Sequence, residues 1–266
     1  MDTHTFNKFR RLVYEKSGIN LGEKKEALVC ARVGKRMQSL SIDDYRKYYK
    51  YVAADQSGRE LVELIDVIST NVTHFFREHQ HFDFLSSLIR QWASEGQRRF
   101  RIWSAASSTG EEPYSIAITV QEVLDGTADT KILATDISTK VLEKAMQGIY
   151  QQKHVEKVPR NLRLKYFAKV SGQEKELYQI KKSLRDMVTF GRLNLSVHPY
   201  PLNGPLDVIF CRNVMIYFDN EIRRGVLENM YSLLRPGGYL MVGHAESLTG
   251  LVSDFKSVKP SVYVKG

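Results

Sequence analysis

The chain has 266 residues, a net charge of +9 and 42% hydrophobic residues, enough for one large domain or two modest ones with a real core. No apolar stretch approaches a membrane span, and the amino end lacks the apolar region of a signal peptide. Cys30 and Cys211 lie far apart without paired spacing, so free thiols in a reducing cytoplasm are expected, without membrane insertion.

Thr5 to Val67 keeps a helical period, with Phe6, Phe9, Leu12 and Val13, then Leu28, Val33 and Met37, then Leu61, Leu64 and Ile65. Few strand signals interrupt it, which predicts a small helical domain over residues 1–70. Lys24, Lys25, Arg32, Lys35 and Arg36 gather near its second helix, and such charge runs ordinarily mark a solvated face. Ser69 to Glu78, S-T-N-V-T-H-F-F-R-E, reads on its residues alone as a helix entry, with Phe75 and Phe76 in the core and Arg77 solvated. His79 and His81 are the nearest pair among seven histidines; a surface helix explains them, and no metal site is expected. Phe82 to Trp92 predicts a linking helix, so residues 71–97 form a linker before the next domain at 98–266.

Ile102 to Ser115, I-W-S-A-A-S-S-T-G-E-E-P-Y-S, is a strand that stops at small residues and restarts as a helix. Small side chains ending in Gly110 let the backbone bend and approach a ligand. Ser108 or Thr109 is expected to cap a helix over Glu112 to Leu124, with Pro113 at its first position. A dinucleotide site needs G-x-G-x-x-G around a pyrophosphate, whereas this turn has one glycine and the acids Glu111 and Glu112. Such acids also suit the helix dipole, but facing a ligand they favour a cationic nucleoside without phosphates, and S-adenosylmethionine meets that description.

Lys131 to Thr135 predicts a second strand ending at Asp136, the position where doubly wound sheets commonly hold ribose hydroxyls, and Ser138 opens the following helix. Tyr166 to Asp186 alternates around Ser171-Gly172 and predicts small antiparallel strands, a β-subdomain near 165–187. Further strands are expected at Val188 to Leu195 and Leu206 to Val214, the latter nearly all apolar as in a covered parallel sheet. A helix from Asn220 to Leu234, a tight reversal at Arg235-Pro236-Gly237-Gly238 and a strand over Tyr239 to Gly243 complete an α/β Rossmann-like sheet.

W-S-A-A-S-S-T-G-E-E-P-Y-S, A-T-D-I-S, F-C-R-N-V-M-I-Y-F and R-P-G-G-Y-L, preceded by T-N-V-T-H-F-F-R-E, closely resemble the chemotaxis receptor methyltransferases of bacteria, the CheR family, over practically the whole chain. The resemblance implies transfer of the methyl group of S-adenosylmethionine to glutamate carboxylates of chemoreceptors, giving methyl esters for chemotactic adaptation. By carry-over, Asn71, Thr73 and Arg77 contact the cofactor, with Arg77 near the transferred methyl. Glu111, with Glu112 beside it, matches the acidic contact and Asp136 the ribose-binding acid. Asn194 and Leu195 match positions lining the adenine, Cys211, Arg212 and Asn213 the strand end facing the cofactor, and Tyr217 a tyrosine at the transfer centre.

The resemblance also makes the helical domain the surface that meets the acidic helical bundle of the receptor, by a protein expected to act as a monomer in the cytoplasm. Some members dock a peptide from the receptor's carboxyl terminus on the β-subdomain by strand addition. The turn V-S-G-Q-E-K-E is not glycine-rich, which leaves that activity open here. A nucleic-acid methyltransferase would suit a pI near 9.4, but the N-P-P-Y or D-P-P-Y motif of amino-methylating enzymes is missing. A binding module without catalysis is disfavoured by intact Arg77, Asp136 and Tyr217.

Overall fold

The computed structural model describes residues 1–22, 25–69, 71–170, 176–248, 250–251 and 254–266. Lys24, Thr70 and the turn at Ser171-Gly172 lie outside the described residues. Four helices come first: α1 (Thr3–Ser17), α2 (Glu26–Ser39), α3 (Tyr45–Ala54) and α4 (Arg59–Ile68). Asp2 caps α1 by accepting from Thr5 N at 3.0 Å, and Asp44 caps α3 through Lys47 N at 2.8 Å, each satisfying an amide that the first helical turn leaves open. Phe6, Phe9, Val13, Val29, Val33, Met37, Tyr48 and Leu64 close a core of their own.

Two expectations for this region need correction. Leu28 is 46% exposed, and the neighbouring Val29 takes the core position instead. Arg36 is not a solvated charge: its Nε and Nη2 bond both oxygens of buried Glu60 at 2.9 and 2.6 Å, and Tyr48 Oη donates to the same carboxylate.

Helix α5 (Gln80–Ser94) leads into β1 (Arg99–Ala105), α6 (Glu111–Leu124), β2 (Asp129–Asp136) and α7 (Thr139–Gln147). Next come β3 (Ile149–Gln151), the short helices α8 (Gln152–Val155) and α9 (Arg160–Tyr166), β4 (Phe167–Val170), β5 (Leu177–Ile180), α10 (Lys182–Arg185) and β6 (Val188–Arg192). The chain finishes with β7 (Leu206–Cys211), a 3-10 turn (Met215–Tyr217), α11 (Asn220–Leu233), β8 (Leu234–Val242), β9 (Phe255–Lys259) and β10 (Val262–Lys265).

Seven strands form one sheet in the order β6-β2-β1-β7-β8-β10-β9. The first five are parallel, and β10 runs antiparallel to both β8 and β9. Phe100, Ile102, Ile132, Val208 and Phe210 face one helical layer that includes Leu85, Ile89, Ile116 and Val120. Trp103, Ile209, Leu240 and Val242 face the other, against Val226, Leu227 and Met230. A second sheet, β3-β5-β4, is antiparallel. Its strand β3 carries no alternation long enough to be read from sequence.

The strand ends also differ from expectation. β6 stops at Arg192 and β7 at Cys211, leaving Asn194, Leu195, Arg212 and Asn213 in the loops beyond them. Pro113 is the third residue of α6, and Gly110 at φ 95° precedes that helix without a side-chain cap from Ser108 or Thr109. β8 continues through Arg235-Pro236-Gly237-Gly238, slipping register against β7 instead of turning back on itself.

Candidate active site

Going outward from β1, the chain lays down β2 and then β6 on one side before β7 returns to the other. Open α/β sheets bind ligands at such a reversal, beyond the carboxyl ends of the strands. A cavity lies there, lined among others by Asn71, Thr73, Arg77, Glu112, Asp136, Asn194, Leu195, Arg212, Asn213 and Tyr217.

The β1–α6 junction forms its floor. Ala106, Ser108 and Gly110 all have positive φ, at 60°, 49° and 95°, so three left-handed residues fold the chain back within a few positions. Gly110 has no room for a side chain, since a Cβ would lie 2.9 Å from both Ala145 Cβ and Tyr150 Oη. Asp136 pins the bend: one carboxylate oxygen accepts from Ser108 N and the other from Ser138 N, each at 2.9 Å. Burial pushes its carboxyl pKa up, against these amide bonds. Each carboxylate oxygen can accept a second bond, so Asp136 keeps acceptor capacity toward the cavity.

The loop before α5 supplies one side. Phe75 is buried edge-on against Tyr150 and Phe167, with ring centroids 4.9 and 5.4 Å away, and Phe76 N donates to Ser115 Oγ at 3.0 Å. Phe76 and Glu78 both have positive φ, at 53° and 56°. Backbone strain of this kind persists where surrounding contacts over-determine it, and here it frames Arg77. That guanidinium lines the cavity and bonds Val72 O at 2.9 Å, so Arg77 is half-buried rather than solvated.

Arg212 follows β7 as a buried hub. Its guanidinium lies 3.0 Å from Glu78 Oε2 and 3.0 Å from Glu112 Oε2, and it donates to Arg77 O. Ser104 Oγ donates to the other oxygen of Glu112 at 2.7 Å. Burial raises the Glu112 pKa despite the nearby guanidinium, whereas for Glu78 burial is outweighed by the charge of Arg212, helped by the bonds from Arg212 and Asn213, and the pKa is lowered.

Two expected contacts do not reach the cavity lining. Glu111 turns the other way, accepting from Thr109 Oγ1 at 2.6 Å, with burial raising its pKa, and Glu112 takes the cavity-facing place. Cys211 is fully buried in the sheet, and burial holds its thiol well above the ordinary range.

The helical domain provides the roof. Ser17, Ile19, Leu21, Lys25 and Leu28 line the cavity, and Lys25 Nζ sits 5.3 Å from the ring centroid of Tyr217. Asn20 N donates to Tyr217 O at 2.7 Å, Asn194 Nδ2 to Lys16 O at 2.9 Å, and Tyr14 Oη to Asp219 at 2.5 Å. Gly18 allows this approach: a Cβ there would lie 2.5 Å from Ser196 Cβ.

His81 is buried, not on a surface helix. With Glu78 and His244 it forms a group whose candidate ligand atoms lie within 4.8 Å of one another. Glu78 already accepts from Arg212, from Asn213 Nδ2 and from the His244 amide, and a dication would meet the Arg212 guanidinium. Burial, with Arg212 second, lowers the His81 pKa to about 4.

Residues 4–69 match the family model "CheR methyltransferase, all-alpha domain", and residues 71–264 match "CheR methyltransferase, SAM binding domain". The chain belongs to the CheR methyltransferase family. The chemotaxis protein methyltransferase of Salmonella typhimurium is 38% identical over 263 residues, spanning 98% of this chain and 90% of that protein. Its counterpart in Escherichia coli K12 is 39% identical over 264 residues, spanning 98% and 90%. That of Borreliella burgdorferi is 38% identical over 263 residues, spanning 96% and 92%.

As a CheR methyltransferase the chain takes S-adenosylmethionine as its cofactor, and the cavity suits that molecule. Arg212 at the sheet end is neutralised by Glu78 and Glu112, and acid rather than a ring of glycine amides stands at the α6 mouth, so the described residues there form no phosphate cradle. Among the described residues no helix is long and apolar enough to cross a membrane.

Proposed function

We propose that this protein methylates glutamate side chains of chemoreceptors, with Arg77 and Tyr217 placing the acceptor carboxylate. The observation that carries the reading is convergence: Arg77 from the loop before α5 and Tyr217 from the turn after β7 line the same cavity as Asp136 and Asn194. Bound there, S-adenosylmethionine supplies a methyl group on a sulfonium centre.

A glutamate side chain has an ordinary pKa of about 4.3 and is already an anionic nucleophile near neutrality, so the protein has no proton to remove. Its task is placement, which alone can lower a barrier by roughly 7–11 kcal/mol. The planar fork of Arg77 orients the carboxylate, and Tyr217 packs against it or donates to it. Asn71, Thr73, Asp136, Asn194, Leu195, Arg212 and Asn213 hold the cofactor, with Glu112 in the acidic place and with Glu111 and Cys211 supporting from behind the lining.

The domains divide the work: residues 1–70 meet the receptor bundle, 71–97 carry cofactor contacts and 98–266 form the methyltransferase unit. Strand β4 is an edge of the small sheet, which supports strand addition as the way a receptor's carboxyl-terminal peptide would dock. The protein works as a monomer in the cytoplasm.

Radiolabelled methyl from S-adenosylmethionine, offered to receptor cytoplasmic fragments and to RNA, tests the whole reading. Base-labile label on the receptor fragment is the expected result. Base-stable label on RNA, or transfer to neither, overturns it. Asp136→Ala is expected to weaken cofactor binding by about 10- to 100-fold in calorimetry, since hydrogen bonds to a charged group contribute about 1.5–3 kcal/mol; unchanged affinity would remove Asp136 from the cofactor contacts.

A further inference from the structure

Glu246 stands outside every motif that marked the site and does not line the cavity, yet it is 5% exposed and its carboxylate accepts from three backbone amides. Oε2 accepts from Asn213 N at 2.6 Å and from Gly243 N at 2.7 Å, while Oε1 accepts from Ile216 N at 3.2 Å. These amides belong to three places: the residue after Arg212, the residue after β8, and the 3-10 turn that carries Tyr217. One side chain therefore ties the ends of two neighbouring strands to the acceptor-side turn.

The backbone around it is built for that tie. Asn213 sits at φ 59°, a left-handed conformation that asparagine adopts more readily than other non-glycine residues. Glu78 holds the Asn213 side chain at 3.3 Å while Glu246 holds its amide. At Gly243 a Cβ would lie 2.4 Å from Asn213 Nδ2 and 2.7 Å from Glu246 Oε2, so only glycine lets the carboxylate reach in. The two bonds to Oε2, at 2.6 and 2.7 Å, are the strong, short kind that a carboxylate makes with amides, and burial makes their geometry costly to disturb.

We infer that Glu246 is a positioning residue for methyl transfer: its carboxylate gathers the amides of Asn213, Ile216 and Gly243 and thereby sets Tyr217 against the cofactor cavity. The inference rests on the proposed role of Tyr217 and is read at saturating cofactor, because Asn213 is also among the proposed cofactor contacts.

Glu246→Gln keeps the volume but replaces one acceptor oxygen with a donor facing an amide. In the full chain, with cofactor at saturation so that any weakening at Asn213 does not enter, it is expected to slow single-turnover transfer to receptor fragments by about 10- to 100-fold, the scale of a small misplacement in a site of this kind. Combined with Tyr217→Phe it adds no further loss. A 19F spectrum of 3-fluorotyrosine placed only at position 217 reads the same clamp without activity: one sharp line in the parent, a shifted or broadened line in Glu246→Gln. Glu246→Asp, charged but one methylene short, behaves as Gln does and guards against a defect peculiar to the amide. Parent-like transfer in Glu246→Gln, full multiplication of the two losses, or an unchanged fluorine line overturns the inference. A parent protein that fails to methylate receptors but shows the fluorine change would instead count against the proposed function alone.

Discussion

Arg77→Ala slows single-turnover methyl transfer at saturating cofactor by about 100- to 1000-fold, the usual loss when one preorganised donor is removed from a reacting centre. Two effects combine. The fork that orients the acceptor disappears, and so does the bond to Val72 O that braces the loop containing Asn71 and Thr73. The second effect also weakens cofactor binding, so the chemical step has to be read at saturation. Arg77→Lys separates charge from shape: a single ammonium cannot reproduce a bidentate fork, and most of the loss remains. Near-parental single-turnover rates in Arg77→Ala would remove this residue from the mechanism.

Arg212→Ala acts on stability. Its guanidinium is the shared partner of Glu78 and Glu112, and its side chain is 1% exposed. Removing one partner of a buried pair strands the remaining charge, at a cost of about 3–5 kcal/mol. Urea unfolding should show that loss as a lower midpoint. The defect also depends on pH in a fixed direction. Burial already raises Glu112, and without Arg212 its effect on Glu78 would no longer be outweighed by the guanidinium. Both carboxyls then take up protons on folding, so stability falls as pH rises from the ordinary carboxyl range through their raised folded values. The deficit of Arg212→Ala relative to the parent accordingly shrinks when the same titration is run in acid. A deficit independent of pH would mean that the two carboxyls do not sense the guanidinium.

Much of the fold was legible because it is written locally. Small residues ending at Gly110 announce the β1–α6 turn, and the apolar run after Asp207 announces a covered central strand. The β9–β10 hairpin was not foreseen: Lys256, Ser257, Val258 and Lys259 are exposed, so no alternation marks them. In the site, residue type was more legible than direction. Glu111 and Glu112 are consecutive, and only the placement of α6 decides which carboxylate faces the cavity. Arg212 resembles a cofactor contact in sequence, but its partner Glu112 lies 100 residues earlier, beyond any local pattern. Glu246 escaped for the same reason: its partners are backbone amides, which leave no trace in the letters.

The roof contributed by Ser17, Ile19, Leu21 and Lys25 has a kinetic consequence. Ile19, Leu21 and Lys25 lie over a cavity whose floor is the sheet, and the Asn20 amide is bonded to Tyr217. Under the proposed docking of the receptor on the helical domain, the domain that roofs the cofactor cavity is also the one that holds the partner. A receptor docked there would slow the reloading of the enzyme that modifies it, and repeated cycles would favour letting go between methylations.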